Sequence, residues 1–212
     1  MSNQEKKDLL EYKIITIGDS NVGKTSILRR FVYNVFDSDT SSTIGLSFSF
    51  KDVTLKNGQK VKLKLVDTAG QERYQGLTKS YYRNTDGVLI VFDYSNLESF
   101  KNIKEWIKAF ETANNKKIFV TYLIGNKIDL KEEEKVVSES MIENFLKEIK
   151  YKFKRTSAKT EDNNIEIIIN EMAEEIYENT LGLDKEKKKN LVLKSKKNKK
   201  QSNCMCNVKN TN

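Results

Sequence analysis

Gly18-Asp19-Ser20-Asn21-Val22-Gly23-Lys24-Thr25 closes a short apolar run, Tyr12 to Ile17, and opens a helical pattern. The run is rich in β-branched residues and reads as a buried strand. The octapeptide fits G-x-x-x-x-G-K-[ST] in the strand-to-helix context that gives this pattern its meaning. Its glycines let the backbone curl so that successive N–H groups, from Ser20 through Asn21, Val22, Gly23, Lys24 and Thr25 to Ser26, converge on phosphate oxygens. The helix N-terminus that follows adds positive potential. Lys24 is placed to reach the outer phosphates, and the Thr25 hydroxyl to ligate Mg²⁺. This element alone specifies a nucleoside triphosphate and leaves the base open.

Working outward, Leu46 to Leu55 and Lys60 to Val66 flank Asn57-Gly58, a hairpin signal. Val61, Leu63 and Leu65 alternate with Lys60, Lys62 and Lys64, so this strand has at least one buried face. Gly87 to Asp93 and Ile118 to Ile124 are continuous apolar runs of the central, parallel kind, and a further short strand is expected near Lys152 to Thr156. Between them run helical stripes: Phe100, Ile103, Ile107 and Phe110; Ile142, Phe145, Leu146 and Ile149; Ile165, Ile168, Ile169, Met172 and Ile176. Trp106, beside the first stripe, reads as a packing residue. The pattern predicts an α/β fold of the P-loop NTPase kind. Its six-stranded, mostly parallel sheet has one antiparallel edge strand and helices on both faces, with ligands at the carboxyl ends of the strands.

Three more segments sit where such a sheet would collect them. Asp67-Thr68-Ala69-Gly70-Gln71-Glu72 follows a strand, so Asp67 can hold Mg²⁺ through a water, Gly70 can offer its N–H to a γ-phosphate, and Gln71 can orient an attacking water. Asn126-Lys127-Ile128-Asp129 follows the next strand but one, and Ser157-Ala158-Lys159 the last. The Asp129 carboxylate can accept from both the ring N–H and the exocyclic amine of guanine. Adenine offers no such donor pair.

GDSNVGKT, DTAGQE, NKID and TSAK together resemble the Ras-superfamily small GTPases. Thr43-Ile44-Gly45, Gln71-Glu72-Arg73-Tyr74 and Tyr81-Tyr82-Arg83 look like the Rab branch, and the resemblance covers about residues 10 to 180. It implies a small G domain with GTP/GDP and Mg²⁺ as cofactors, in which Thr43 binds Mg²⁺ and the γ-phosphate and Phe36 stacks on the guanine. By the same similarity Asn126 and Lys127 support the base, and the Ala158 N–H reaches its oxygen. Activity would be a slow GTP hydrolysis using Lys24 and Gln71, in a chain expected to be monomeric. An exchange factor, a GTPase-activating protein and effectors would engage residues 36–50 and 70–83. Departures fall on the partner-facing positions: Asp39-Thr40-Ser41-Ser42 lacks the usual aromatic, Leu46-Ser47-Phe48 replaces Val-Asp-Phe, and Val66 stands where tryptophan is common.

Charge separates a tail from this domain. The formal net charge of the 212 residues is +8, and the segment from Lys185 to Lys200 holds nine lysines and one glutamate, which accounts for all of it. The expected division is therefore an N-terminal extension (1–10), a G domain (11–180) and a basic tail (181–212), too poor in apolar residues to fold alone. At ~1 kcal/mol per basic residue such a tail suits an anionic membrane surface better than nucleic acid, for which it lacks stacking aromatics. Its Cys204 and Cys206 resemble the paired-cysteine signal that Rab proteins geranylgeranylate, although six residues, Asn207 to Asn212, follow here. No signal peptide, myristoylation site or membrane-spanning run is legible, so a cytosolic chain, peripheral on an intracellular membrane, is expected. The absence of histidine excludes imidazole catalysis and histidine-ligated metal, and two cysteines allow no disulfide framework.

Overall fold

The residues flanking Asn57-Gly58 pair as expected, Leu46 opposite Thr68 and Thr54 opposite Lys60, in an antiparallel hairpin of β2 (Leu46–Thr54) and β3 (Lys60–Thr68). Gly58 turns the chain at φ 82°, and its N–H bonds the Leu55 carbonyl at 2.8 Å. These elements come from a computed structural model describing residues 9–37, 46–68, 79–116, 118–149, 151–162 and 164–182. β3 runs parallel to β1 (Leu10–Ile17), which in turn pairs in parallel with β4 (Gly87–Asp93), and β4 with β5 (Val120–Asn126) and β5 with β6 (Lys152–Arg155). The six-stranded order is β2-β3-β1-β4-β5-β6. One edge strand is antiparallel, as the sequence indicates. β5 starts two residues later than the apolar run: Ile118 lies outside it and is exposed.

The helices are α1 (Lys24–Tyr33), α2 (Lys79–Tyr82), α3 (Leu97–Lys101), α4 (Ile103–Ala113), α5 (Glu139–Glu148) and α6 (residues 164–176). The stripe read as one helix from Phe100 to Phe110 is two. Asn102 ends α3 and begins α4, yet Phe100, Ile103 and Phe110 still reach the core. On that face Phe92 meets Phe100 edge-on at 5.1 Å, and Phe100 meets Phe145 of α5 at 5.5 Å. On the other face α6 covers β4 closely enough that a Cβ on Gly87 would lie 2.7 Å from Met172 Sδ. Val61, Leu63, Leu65 and all of β4 are buried, each large side chain contributing about 1.5–3 kcal/mol.

The chain divides into two units, Met1–Ile176 and Tyr177–Asn212. The described part of the second, residues 177–182, is helical. Among the described residues no helix is long and apolar enough to cross a membrane.

Candidate functional site

α1 starts without a side-chain cap. Its N-cap, Gly23, is left-handed at φ 93°, and no acidic residue enters the first turn. By contrast Asn96 caps α3 through Ser99 N, and Ser138 caps α5 through Met141 N. Uncapped N–H groups and the positive end of the helix make an anion site. The loop before it is held by close approach: a Cβ on Gly18, whose φ is 141°, would lie 2.2 Å from the Val91 carbonyl oxygen. Asn21 is also left-handed, at φ 64°, which asparagine tolerates.

Lys24 is buried, with Nζ donating to the carbonyls of Gly18 at 2.9 Å and Asp19 at 2.8 Å. The ammonium thus lies over the loop it serves. Thr25 Oγ1 donates to Asp67 Oδ2 at 2.7 Å, joining the start of α1 to the end of β3. Asp67 is buried, and its Oδ1 has no hydrogen-bond partner. Burial raises its pKa, against the opposing pull of the Thr25 hydroxyl and the Lys24 charge. A buried carboxylate oxygen without a donor, beside a threonine hydroxyl, is the hard-oxygen set that suits Mg²⁺. The residues present therefore fit the ion.

At the ends of β5 and β6 the side chains are bonded to one another. Asn126 Nδ2 donates to the Val22 carbonyl at 2.8 Å, while its Oδ1 accepts from Ala158 N at 3.2 Å. A Cβ on Gly23 would lie 2.2 Å from that same Nδ2, so the phosphate loop and the Asn126 amide interlock. Ser157 Oγ donates to Asp129 Oδ1 at 2.5 Å, and accepts from the N–H groups of Lys159 and Thr160. Lys159 Nζ lies 4.0 Å from Asp129 Oδ2. Lys127 holds a left-handed backbone at φ 66°, a strained state for a side chain of this kind. Its Nζ pairs with Asp93 at 2.6 Å.

The structure thus brings Ser20 to Ser26, Asp67, Asn126, Lys127, Asp129 and Ser157 to Lys159 to the carboxyl ends of β1, β3, β5 and β6, on both sides of the point where the strand order reverses. Phe36, two residues past the left-handed Asn34, is half-buried. Thr43, Gly70, Gln71, Cys204 and Cys206 lie outside the described residues. Two contributors carried no motif. Asp93 ends β4 and meets Lys127. Arg30 sits on α1, nine-tenths buried, and donates to the carbonyls of Ala158 at 3.1 Å and Lys159 at 3.3 Å. A long charged side chain on the buried face of an amphipathic helix was the signal for Arg30, since such a group needs partners from another element.

The sequence model of the Ras family matches residues 13–178. The chain is 40% identical over 190 residues to Ras-related protein Rab-18 of Lymnaea stagnalis, covering 90% of this chain and 92% of the relative. It is 42% identical over 173 residues to Ras-related protein Rab-10 of Diplobatis ommata, with 82% and 84% covered, and 41% identical over 198 residues to Ras-related protein SEC4 of Saccharomyces cerevisiae, with 91% and 90% covered. The chain belongs to the Ras family of small GTPases, in its Rab branch. It is a guanine-nucleotide switch that hydrolyses GTP and acts in membrane traffic through regulators and effectors.

Proposed function

We propose the following division of labour for that activity. The N–H groups from Ser20 to Ser26 and the Lys24 ammonium bind the phosphates. Thr25 and Asp67, with Thr43, hold Mg²⁺, which when bound neutralises phosphate charge. Asp129 accepts from the guanine, Asn126 and Lys127 brace it, Ala158 donates to its oxygen and Phe36 covers its face, with Ser157 and Lys159 keeping Asp129 in position. Gly70 senses the γ-phosphate, and Gln71 orients the attacking water. The observation that carries this reading is the Asn126 amide, bonded at once to the phosphate loop and to the Ala158 segment, which makes the two recognition regions one crevice.

Arg30 is committed to the Ala158 segment and does not replace the positive charge an activating protein would bring. Hydrolysis is therefore slow until a partner supplies that charge. Residues 36–50 and 70–83 form the partner surface. Phe48 and Phe50, 48% and 54% exposed on the edge strand, fall within the first of these segments. The basic tail and prenylated Cys204 and Cys206 hold the monomeric chain on the cytosolic face of an intracellular membrane. The domain division at residues 10 and 180 follows from the same reading.

A thermal-shift series with Mg²⁺ tests the base assignment: GDP and GTP stabilise strongly, ADP and ATP barely. Equal stabilisation by both bases would overturn it. Gln71→Leu leaves GTP bound and cuts single-turnover hydrolysis at least about tenfold; an unchanged rate removes Gln71 from the mechanism. For the tail, intact mass of protein taken from cells is the measurement, and two free thiols would end the prenylation reading.

A further inference from the structure

Asp19 poses an electrostatic problem. It places a carboxylate inside a loop whose backbone is arranged to attract phosphate, where a negative side chain would oppose the ligand. Both its oxygens are met from α4: Trp106 Nε1 donates to Oδ1 at 2.7 Å, and Asn102 Nδ2 donates to Oδ2 at 2.7 Å. Trp106 is fully buried and is the largest side chain of the core, so one of these donors is fixed by packing. Asn102 is the N-cap of α4, the place where an asparagine side chain usually accepts from the helix's own N–H groups. Here its Oδ1 makes no such cap bond, and its Nδ2 donates to Asp19.

We propose that Asn102 and Trp106 are positioning residues for nucleotide binding: they hold the Asp19 carboxylate against α4, directing its charge at neutral donors and fixing the phosphate loop between Gly18 and Gly23. The proposal rests on the nucleotide reading above and extends it to a helix that carries no nucleotide motif. Short, charge-assisted bonds at both oxygens give the loop a two-point attachment, which a single bond would leave free to rotate. Lys24, which donates to the Asp19 carbonyl, would share in any displacement of that residue.

The experiment is a double-mutant cycle on release of a fluorescent GDP analogue in the presence of Mg²⁺. The full chain is used as wild type, Trp106→Phe, Asn102→Ala and Asp19→Ala, and as each donor variant combined with Asp19→Ala. Each single donor loss is expected to speed release about tenfold, the equivalent of about 1.4 kcal/mol. In the Asp19→Ala background the same donor losses should add less than about twofold, because nothing is left for them to hold. Full additivity, or unchanged release in the single variants, would overturn the clamp while leaving guanine binding intact. A wild-type chain that takes up no GDP would overturn the nucleotide reading and the clamp with it. Asn102 lies at a half-buried junction, so its cycle stands even if Trp106→Phe does not fold. Trp106 is the only tryptophan of the chain, and its emission gives a second readout. Asp19→Ala should change that emission at an unchanged melting temperature, whereas an unchanged spectrum would show that the bond to the indole is not made.

Discussion

The two ends of the crevice are prepared in opposite ways. At the base end, Asn126, Asp129, Ser157 and Arg30 are already bonded to one another and to backbone, so the acceptors stand in place before any ligand arrives. At the phosphate end the charges are held in reserve. Lys24 is parked on loop carbonyls, and Asp67 is buried with one oxygen unpartnered. The first arrangement suits selectivity, because preorganised hydrogen-bond networks discriminate by what they leave unpaired. The second suits affinity and ion dependence, because a desolvated charge gains most from the arrival of an opposite one.

If that contrast holds, the largest effect comes from the phosphate end. Lys24→Ala should weaken GDP and GTP together by about a thousandfold, the loss of two charge-assisted bonds, while leaving the preference for guanine unchanged. Calorimetric Kd values with GDP and ADP check both halves of the statement; a selective loss of guanine would break the comparison. Asp129→Ala should do the reverse, costing GDP about a hundredfold and closing most of the gap to ADP. A uniform loss for both bases would make Asp129 merely structural.

A smaller effect is expected at Arg30, where the comparison can be sharpened. Arg30→Met keeps the apolar stem and removes the donors to Ala158 and Lys159, so stability should fall by about 2 kcal/mol. Urea unfolding measures that, and GDP release in the same variant should quicken by about tenfold. The smallest effect concerns pH. The folded-state pKa of Asp67 is raised above its ordinary 3.8, so the native chain keeps a proton that the unfolded chain has already lost. Metal-free protein should therefore lose stability as pH rises from 3.8 through the raised value, and Asp67→Asn should flatten that slope. Chemical unfolding across the window, without Mg²⁺, detects it; a slope unaffected by the substitution would place the titration elsewhere.

Much of the fold was readable because its strands carry the two periods that burial imposes. Alternation marked the hairpin strand, with Val61, Leu63 and Leu65 inward, and continuous apolar runs marked β4 and β5. The α3 to α4 junction was not readable: its apolar spacing runs across Asn102, so a short break leaves the pattern intact. In the crevice, residues in contiguous motifs could be found by spacing. Asp93, Asn102 and Arg30 could not, since each reaches its partner across tens of residues and only folding reveals the pairing. From the sequence Trp106 reads as packing. It is packing, but its indole N–H carries a second role that hydrophobic pattern does not register.

The contact between Gly23 and Asn126 has a consequence for inheritance. Any side chain acquired at position 23 would have to displace an amide 2.2 Å from its first carbon, and that amide belongs to the base end. A substitution in the phosphate loop should therefore be felt as a defect in guanine selection. At φ 93° a side chain at position 23 is strained whatever room Asn126 leaves, so revertants of Gly23→Ala would be expected to restore glycine rather than to shrink Asn126. The two motifs are far apart in the chain, but a change in one is felt in the other.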